Sequence, residues 1–344
     1  MLDVRSPGEY DHGHIPGAFS LPLFSDEERA VVGTAYKQQG REPAIKIGLD
    51  YFGPKMRSMV EYVETLFTSG AKDAGARQVL IHCWRGGMRS AGVAWLLDMY
   101  GFKVCTLAGG YKSYRHWIIE TFSFPLSFNI LGGYTGSGKT LVLEEMKKEG
   151  VATINLEKLA SHKGSAFGNI GMPKQPSQEM FENYLGHELR THSQGDLALD
   201  RETSPGNSIW LEDESQRIGH INIPHELWKN MFDSPIIFID IPFEERLKQI
   251  VQEYGSLDKE RVGDAIVRIQ KRLGGLETKM ALQNLATGDI ESCFRILLKY
   301  YDKLYRKALE NRDQTKIQLT KLDCSIVDAR VIANKILINE PLLK

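Results

Sequence analysis

Cys83 is followed by Trp84, Arg85, Gly86, Gly87 and Met88, and then by Arg89 and Ser90. The pattern puts a thiol at the end of an apolar run and an arginine at the start of a helical one. A loop of this length can curl until several backbone N–H groups point at the sulfur, and the helix N-terminus adds its partial positive charge. Gly86 and Gly87 allow the left-handed backbone that such a cradle needs. Arg89 offers a planar fork to a bound oxyanion. These surroundings lower a thiol's pKa, and the thiolate is the nucleophile. A lone cysteine is more often a small buried residue without chemistry. That plainer reading suits Cys105, in the middle of an apolar run, and Cys293 and Cys324, which carry no motif. It suits Cys83 poorly, beside two glycines and two arginines.

A second set of residues fits a phosphate. Gly133-Tyr-Thr-Gly-Ser-Gly-Lys-Thr140 matches G-x4-G-K-T and lies between an apolar run and a helical one. Backbone N–H groups from Gly133 through Thr135, Gly136, Ser137 and Gly138 would surround a di- or triphosphate. Lys139 would neutralise its terminal oxygens, and the Thr140 hydroxyl can ligate Mg²⁺. The motif does not name the ligand. The acidic partner for the ion is expected in Ile209-Trp-Leu-Glu-Asp-Glu214: Asp213 first, with Glu212 close behind and Asp240 as a second option. No tightly bound cofactor is expected, and Mg²⁺ is the ion the motif provides for. Ser161 to Gly168, with Lys163 among hydroxyls and glycines, reads equally as a plain turn or as part of this site.

The elements that must hold these residues follow from periodicity. Residues 78–83 read as a buried strand and 89–100 as a helix with Val93, Leu96, Leu97 and Tyr100 on its apolar face, stopped by Gly101. Residues 102–107 return as a strand and 111–122 as a helix. Pro125 marks a boundary. Strand 126–131, a glycine-rich loop and helix 139–149 then open a second unit, with further strands at 151–155, 208–211 and 236–241. From about Glu244 onward the pattern is helical, with Ile266, Ile269 and Leu273 at helical spacing. Strand–loop–helix–strand units predict an α/β chain with parallel sheets. Its expected domains are residues 1–122 and 125–344, the second ending in a helical part.

The chain has 344 residues, enough for two domains. Charged residues make up 25% and hydrophobic ones 42%, which excludes a mostly disordered chain. No apolar run is long enough to span a bilayer, and the charged N-terminus lacks a signal-peptide core, so the expected setting is cytoplasmic, away from membranes. The four cysteines form no C-x-x-C pair, which excludes a disulfide or zinc framework. The net charge of −1 excludes a global basic field. Locally, residues 299–321 hold seven Lys/Arg against three Asp/Glu. By charge alone, that stretch reads as a solvated helix face.

The segment from Asp3 to Ala18, Asp-Val-Arg-Ser-Pro-Gly-Glu-Tyr-Asp-His-Gly-His-Ile-Pro-Gly-Ala, resembles the opening signature of rhodanese domains, and the resemblance continues to about residue 122. It implies that Asp3 and Arg5 tie the sheet to the active loop. Rhodanese domains have a strand and helix before this aspartate, so a trimmed or truncated start is expected. The loop is one residue longer than in the simplest rhodanese pattern. His-Cys-x5-Arg is also the signature of cysteine phosphatases, so the wider loop suggests a phosphate-bearing substrate. A phosphatase also needs a placed general acid and a displacing water, and the sequence pattern identifies neither.

A rhodanese-like domain followed by a phosphate loop resembles the tRNA 2-selenouridine synthases. Asp26 to Gly40, Cys83 to Ser90, Gly109 to Arg115, Gly136 to Thr140, His162 to Gly168, Gln175 to Gln178, Phe181 to Asn183 and Glu212 to Ser215 carry the resemblance. It implies a rhodanese-like domain joined to a P-loop NTPase-like domain. It also implies a transferase acting on tRNA, in which selenium from selenophosphate replaces sulfur in 2-thiouridine at the wobble position. The implied intermediate is a geranylated thionucleoside made from geranyl diphosphate. Cys83 and Arg89 would then meet selenophosphate within the loop Trp84–Met88, and Gly133–Thr140 would hold the diphosphate. The basic C-terminal stretch and Lys163 would meet the tRNA backbone. Three alternatives stand beside this: a P-loop kinase with a regulatory rhodanese module, a plain sulfurtransferase, and a non-catalytic tRNA-binding scaffold.

Overall fold

The computed structural model describes residues 1–68, 77–193, 208–255, 257–312 and 318–339. The chain divides into two compact units, Met1–Glu120 and Thr121–Lys344. Both are α/β with parallel main sheets.

In the first unit the strands are β1 (Leu2–Asp3), β2 (Phe19–Ser20), β3 (Gln78–His82) and β4 (Lys103–Thr106), in the order β2-β1-β3-β4 and all parallel. β3 lies inside the sheet, so Val79 and Ile81 are buried against Leu2, Val4, Val93 and Leu97. The chain leaves β3 at Cys83 and enters the helix Met88–Tyr100, which ends at Gly101 in the left-handed region, φ 104°. Val93, Leu96 and Leu97 are buried as expected, but Tyr100 is 48% exposed. At the last turn the apolar stripe reaches the surface, and the Tyr100 hydroxyl donates to Glu64 Oε1 at 2.9 Å. Cys105 is exposed rather than buried, because β4 is an edge strand.

In the second unit the strands are β5 (Phe128–Gly133), β6 (Thr153–Ile154), β7 (Ile209–Glu212), a small antiparallel pair β8 (Arg217–Ile218) and β9 (Ile221–Asn222), β10 (Ile236–Asp240) and β11 (Leu319–Asp323). The main sheet runs β11-β10-β5-β7-β6, all parallel. The run Ile236-Ile-Phe-Ile239 is buried on both faces, as a central parallel strand requires. One core joins the sheet to the helices Lys139–Lys148 and Ala329–Asn339. A second core lies among the helices from Phe243 to Glu310, with Val262, Ile266 and Leu297 buried.

At about 100° per residue, Lys299, Lys303, Arg306 and Lys307 share one face of the helix Ile290–Glu310. Phe294, Leu297, Leu298 and Tyr301 lie on the opposite face, toward the core. The basic face is exposed, while Asp302 turns inward to pair with Arg246. Residues 313–317 of the basic stretch lie outside the described residues. No helix among the described residues is long and apolar enough to cross a membrane.

Candidate functional site

Cys83 lies one residue past β3, at the start of the loop that leads into helix Met88–Tyr100. Gly87 N–H donates to Cys83 Sγ at 3.3 Å, and Ser90 Oγ lies 3.3 Å from the sulfur and 3.0 Å from the Gly87 carbonyl. Burial pushes the thiol up, but the Ser90 hydroxyl and the N–H groups of Ser90, Arg85 and Gly87 outweigh it and hold the thiol below its ordinary value. The loop therefore stabilises a thiolate. Arg85, Gly86, Gly87 and Met88 are exposed, Trp84 is half-buried, and Cys83 is 3% exposed. An incoming ligand meets the loop before it meets the thiol.

Arg89 does not stand free. Its Nη1 donates to Glu9 Oε2 at 2.7 Å, so the anion it holds here is the chain's own carboxylate. Glu9 also accepts from Ser6 N–H at 3.1 Å in the capping box of the helix Pro7–His12. Burial would raise the Glu9 carboxyl, but Arg89, Ser6 and Arg29 together hold it below the ordinary range.

The loop is braced from below. Arg5 donates to Asp3 Oδ2 and to the Gly13 carbonyl, both at 2.6 Å, and its guanidinium lies 3.7 Å from the Tyr111 ring centroid. Tyr111 N–H in turn donates to the Cys83 carbonyl and Lys112 N–H to the Trp84 carbonyl, both at 2.9 Å. Asp3 and Arg5 thus link sheet to loop, as the rhodanese resemblance implies. Gly110, φ 60°, makes the approach possible: a Cβ there would lie 2.4 Å from the Cys83 carbonyl oxygen.

The second set of residues lies where β5 ends. Gly136 (φ 83°) and Gly138 (φ 72°) turn the backbone, and a Cβ on Gly136 would lie 2.8 Å from Ile250 Cγ1. Arg246, buried, donates to the Thr135 carbonyl at 3.1 Å and pairs with Asp302 at 2.7 Å, fixing the loop from outside. Lys139 Nζ folds back onto the Gly133 carbonyl at 2.9 Å. The Ser137 hydroxyl is buried without a hydrogen-bond partner among the described residues.

Thr140 Oγ1 lies 2.9 Å from Glu157 Oε2 and 3.0 Å from Glu212 Oε2. One hydroxyl proton cannot serve both carboxylates at once. Glu212 is fully buried; burial and the Glu157 charge push it up to about 8. The expected Asp213 lines the cavity over the loop, with its carboxylate turned to partners other than Thr140. It accepts from the Tyr305 hydroxyl and from Arg312, and Tyr305 accepts from Gly133 N–H at 3.1 Å. Consecutive residues at a strand end point to opposite sides, so Glu212 takes the position beside Thr140. Asp240 ends β10 and does not line the cavity over the loop. Among the described residues, no three His, Cys, Asp or Glu side chains form a metal cage. Mg²⁺ needs only one or two carboxylates beside a hydroxyl and phosphate oxygens, and Thr140, Glu212 and Glu157 fit that donor set.

A cavity of about 930 Å³ opens over the phosphate loop. Thr135 to Thr140, Glu157, Lys163 to Ser165, Asp213 and Glu214 form its polar side. Trp228, Phe232, Ile250, Tyr254, Tyr301 and Leu304 form its apolar side. Lys163, Gly164 and Ser165 of the segment Ser161–Gly168 are therefore part of the cavity wall, and Lys163 pairs with Glu253. Sequence reasoning misses Glu9, Glu157, Tyr305, Arg246 and Arg312. Only Glu9 has a local signal, the Ser6-Pro-Gly-Glu9 capping box.

Residues 1–116 match the family model of the rhodanese-like domain, and residues 126–328 match that of the tRNA 2-selenouridine synthase AAA domain. The tRNA 2-selenouridine synthase of Bdellovibrio bacteriovorus is 32% identical, over 92% of this chain and 90% of that protein. Those of Sulfurovum sp. (31% identical, 90% and 88%) and Aeromonas salmonicida (33% identical, 91% and 88%) are similar over the same extent. With a thiol loop on one parallel sheet and a phosphate loop on another, the chain belongs to the tRNA 2-selenouridine synthase family.

Proposed function

We propose that the chain replaces sulfur by selenium in 2-thiouridine at the tRNA wobble position, in two steps. In the first, geranyl diphosphate binds with its diphosphate on Gly133–Thr140 and its hydrocarbon in the apolar part of the cavity. The ring sulfur attacks the first geranyl carbon, a C–S bond forms, the C–O bond breaks and diphosphate leaves. The nucleobase gives up its N3 proton. Lys139 and the loop N–H groups stabilise the charge that develops on the departing diphosphate. Mg²⁺ bound by Thr140 and Glu212 would supply further positive charge there. In the second step, selenium of selenophosphate attacks C2 of the nucleobase, a C–Se bond forms, the C–S bond breaks and the geranyl thiolate leaves; water then cleaves the P–Se bond, phosphate departs and 2-selenouridine remains. A geranylated sulfur departs more readily than a bare one. Cys83 serves this step, and Arg89 exchanges Glu9 for the selenophosphate oxyanion. The exposed face of Lys299, Lys303, Arg306 and Lys307 supplies contacts to tRNA phosphates, and the target base leaves its stack to react.

The observation that carries this reading is the pairing, in one cavity, of a diphosphate-sized anion cradle with an apolar wall. Calorimetric titration of the full chain tests it. Geranyl diphosphate is expected to bind more tightly than inorganic diphosphate, and Lys139→Ala to lose most of that affinity. Tight ATP binding with hydrolysis that is indifferent to Cys83→Ala would favour the kinase reading instead.

A further inference from the structure

The apolar lining of the cavity over the phosphate loop includes two groups of residues. Trp228 and Phe232, with ring centroids 5.1 Å apart, form one. Ile250, Tyr254 and Tyr301 form the other. A smaller void of about 20 Å³, room for little more than one water, lies against the same three residues. Its other walls are Phe167, Phe294, Leu297 and Leu298, all buried. The two spaces share Thr135, Ser165, Ile250, Tyr254 and Tyr301 as lining, so these side chains form a partition rather than a floor on solid core.

The tyrosines are held in place. The Tyr301 hydroxyl accepts from Ala166 N–H at 3.2 Å, and its ring meets Phe167 edge-on at 6.3 Å. The Tyr254 ring lies 5.8 Å from Phe294, with Lys163 Nζ 5.1 Å from its centroid on the cavity side. Ile250 touches the phosphate loop at Gly136, so its position is tied to the anion cradle itself. The partition therefore stands beside the anion cradle. A hydrocarbon tail gains most by packing against this group, where the surroundings are buried.

We propose that Tyr254 and Tyr301 determine the length of the prenyl chain that the phosphate-loop site accepts. This rests on the prenyl diphosphate reading above. With the partition in place, a tail that ends at the two rings fits, and one isoprene unit more meets them. Removing one ring joins cavity and void and provides room for that unit, inside walls that are already apolar.

The test uses the full chain, tRNA carrying 2-thiouridine, and equal concentrations of geranyl and farnesyl diphosphate, without selenophosphate. Nucleoside mass spectrometry reads the ratio of S-farnesyl to S-geranyl product. The wild type is expected to favour geranyl. Tyr254→Ala, and independently Tyr301→Leu, are expected to raise the farnesyl share about 10-fold or more, as hydrophobic-pocket discrimination allows. Tyr301→Phe, which keeps the ring, is expected to keep the wild-type ratio. Tyr301→Leu guards against loss of folding in Tyr254→Ala. If either truncated variant still prenylates tRNA with an unchanged ratio, the partition does not set chain length. If the wild type prenylates with neither substrate, the prenyl diphosphate reading falls, and this proposal with it.

Discussion

At the residue scale, the chemistry of Cys83 depends on hydrogen bonds more than on charge. Burial alone would raise its pKa, and the Ser90 hydroxyl with the N–H groups of Ser90, Arg85 and Gly87 reverses the sign. The single Ser90 proton has two acceptors, the sulfur at 3.3 Å and the Gly87 carbonyl at 3.0 Å. When the sulfur ionises, that proton turns to it. Alkylation rates follow the thiolate fraction, so the pH profile of Cys83 alkylation is expected to have its midpoint below the ordinary thiol value of about 8.5. Ser90→Ala is expected to move the midpoint to higher pH. Each pH unit of that rise leaves about tenfold less thiolate at neutral pH, and alkylation slows in proportion. Peptide mass spectrometry keeps the exposed Cys105 from confusing the result. A midpoint that stays put in Ser90→Ala would mean that the hydroxyl does not tune the thiol.

At the element scale, each loop is shaped by a neighbour pressed against it at a glycine. Gly110, at the start of the helix Gly110–Thr121, supports the thiol loop. Gly136 receives Ile250 and the Arg246 carbonyl from the helix Phe243–Tyr254. Gly110→Ala combines a left-handed backbone with a 2.4 Å approach to the Cys83 carbonyl. It is expected to destabilise the first unit by about 1–3 kcal/mol or more, seen as a lower urea midpoint, and to raise the Cys83 alkylation midpoint. An unchanged urea midpoint would mean that the helix does not brace the loop.

These loops are legible in the sequence because their signals are local: a cysteine, paired glycines and an arginine in one case, G-x4-G-K-T in the other. The strand before each loop and the helix after it are legible for the same reason. Glu157, Tyr305, Arg246 and Arg312 are not, because they reach the phosphate loop across sequence separations that no local period records. The pattern favours Asp213 over Glu212 because the strand end falls one residue later than expected, and a one-residue shift reverses which side chain faces Thr140. Periodicity puts Tyr100 and Cys105 inside, since it carries no information about helix ends or sheet edges.

At the scale of the whole molecule, two α/β units carry two different loops: one that holds the Cys83 thiol below its ordinary pKa, and a glycine-rich, lysine-tipped one beside a cavity with apolar lining. If they serve successive steps on one nucleobase, disabling each must stop the reaction at a different point. The most direct measurement follows the nucleosides of thiolated tRNA by mass spectrometry. The tRNA is incubated with geranyl diphosphate and then selenophosphate, using wild type, Cys83→Ala and Lys139→Ala. The expected products are 2-selenouridine from the wild type, accumulated S-geranyl-2-thiouridine from Cys83→Ala, and neither from Lys139→Ala. Selenium insertion by Cys83→Ala at the wild-type rate, or geranylation undiminished in Lys139→Ala, would contradict this division of labour.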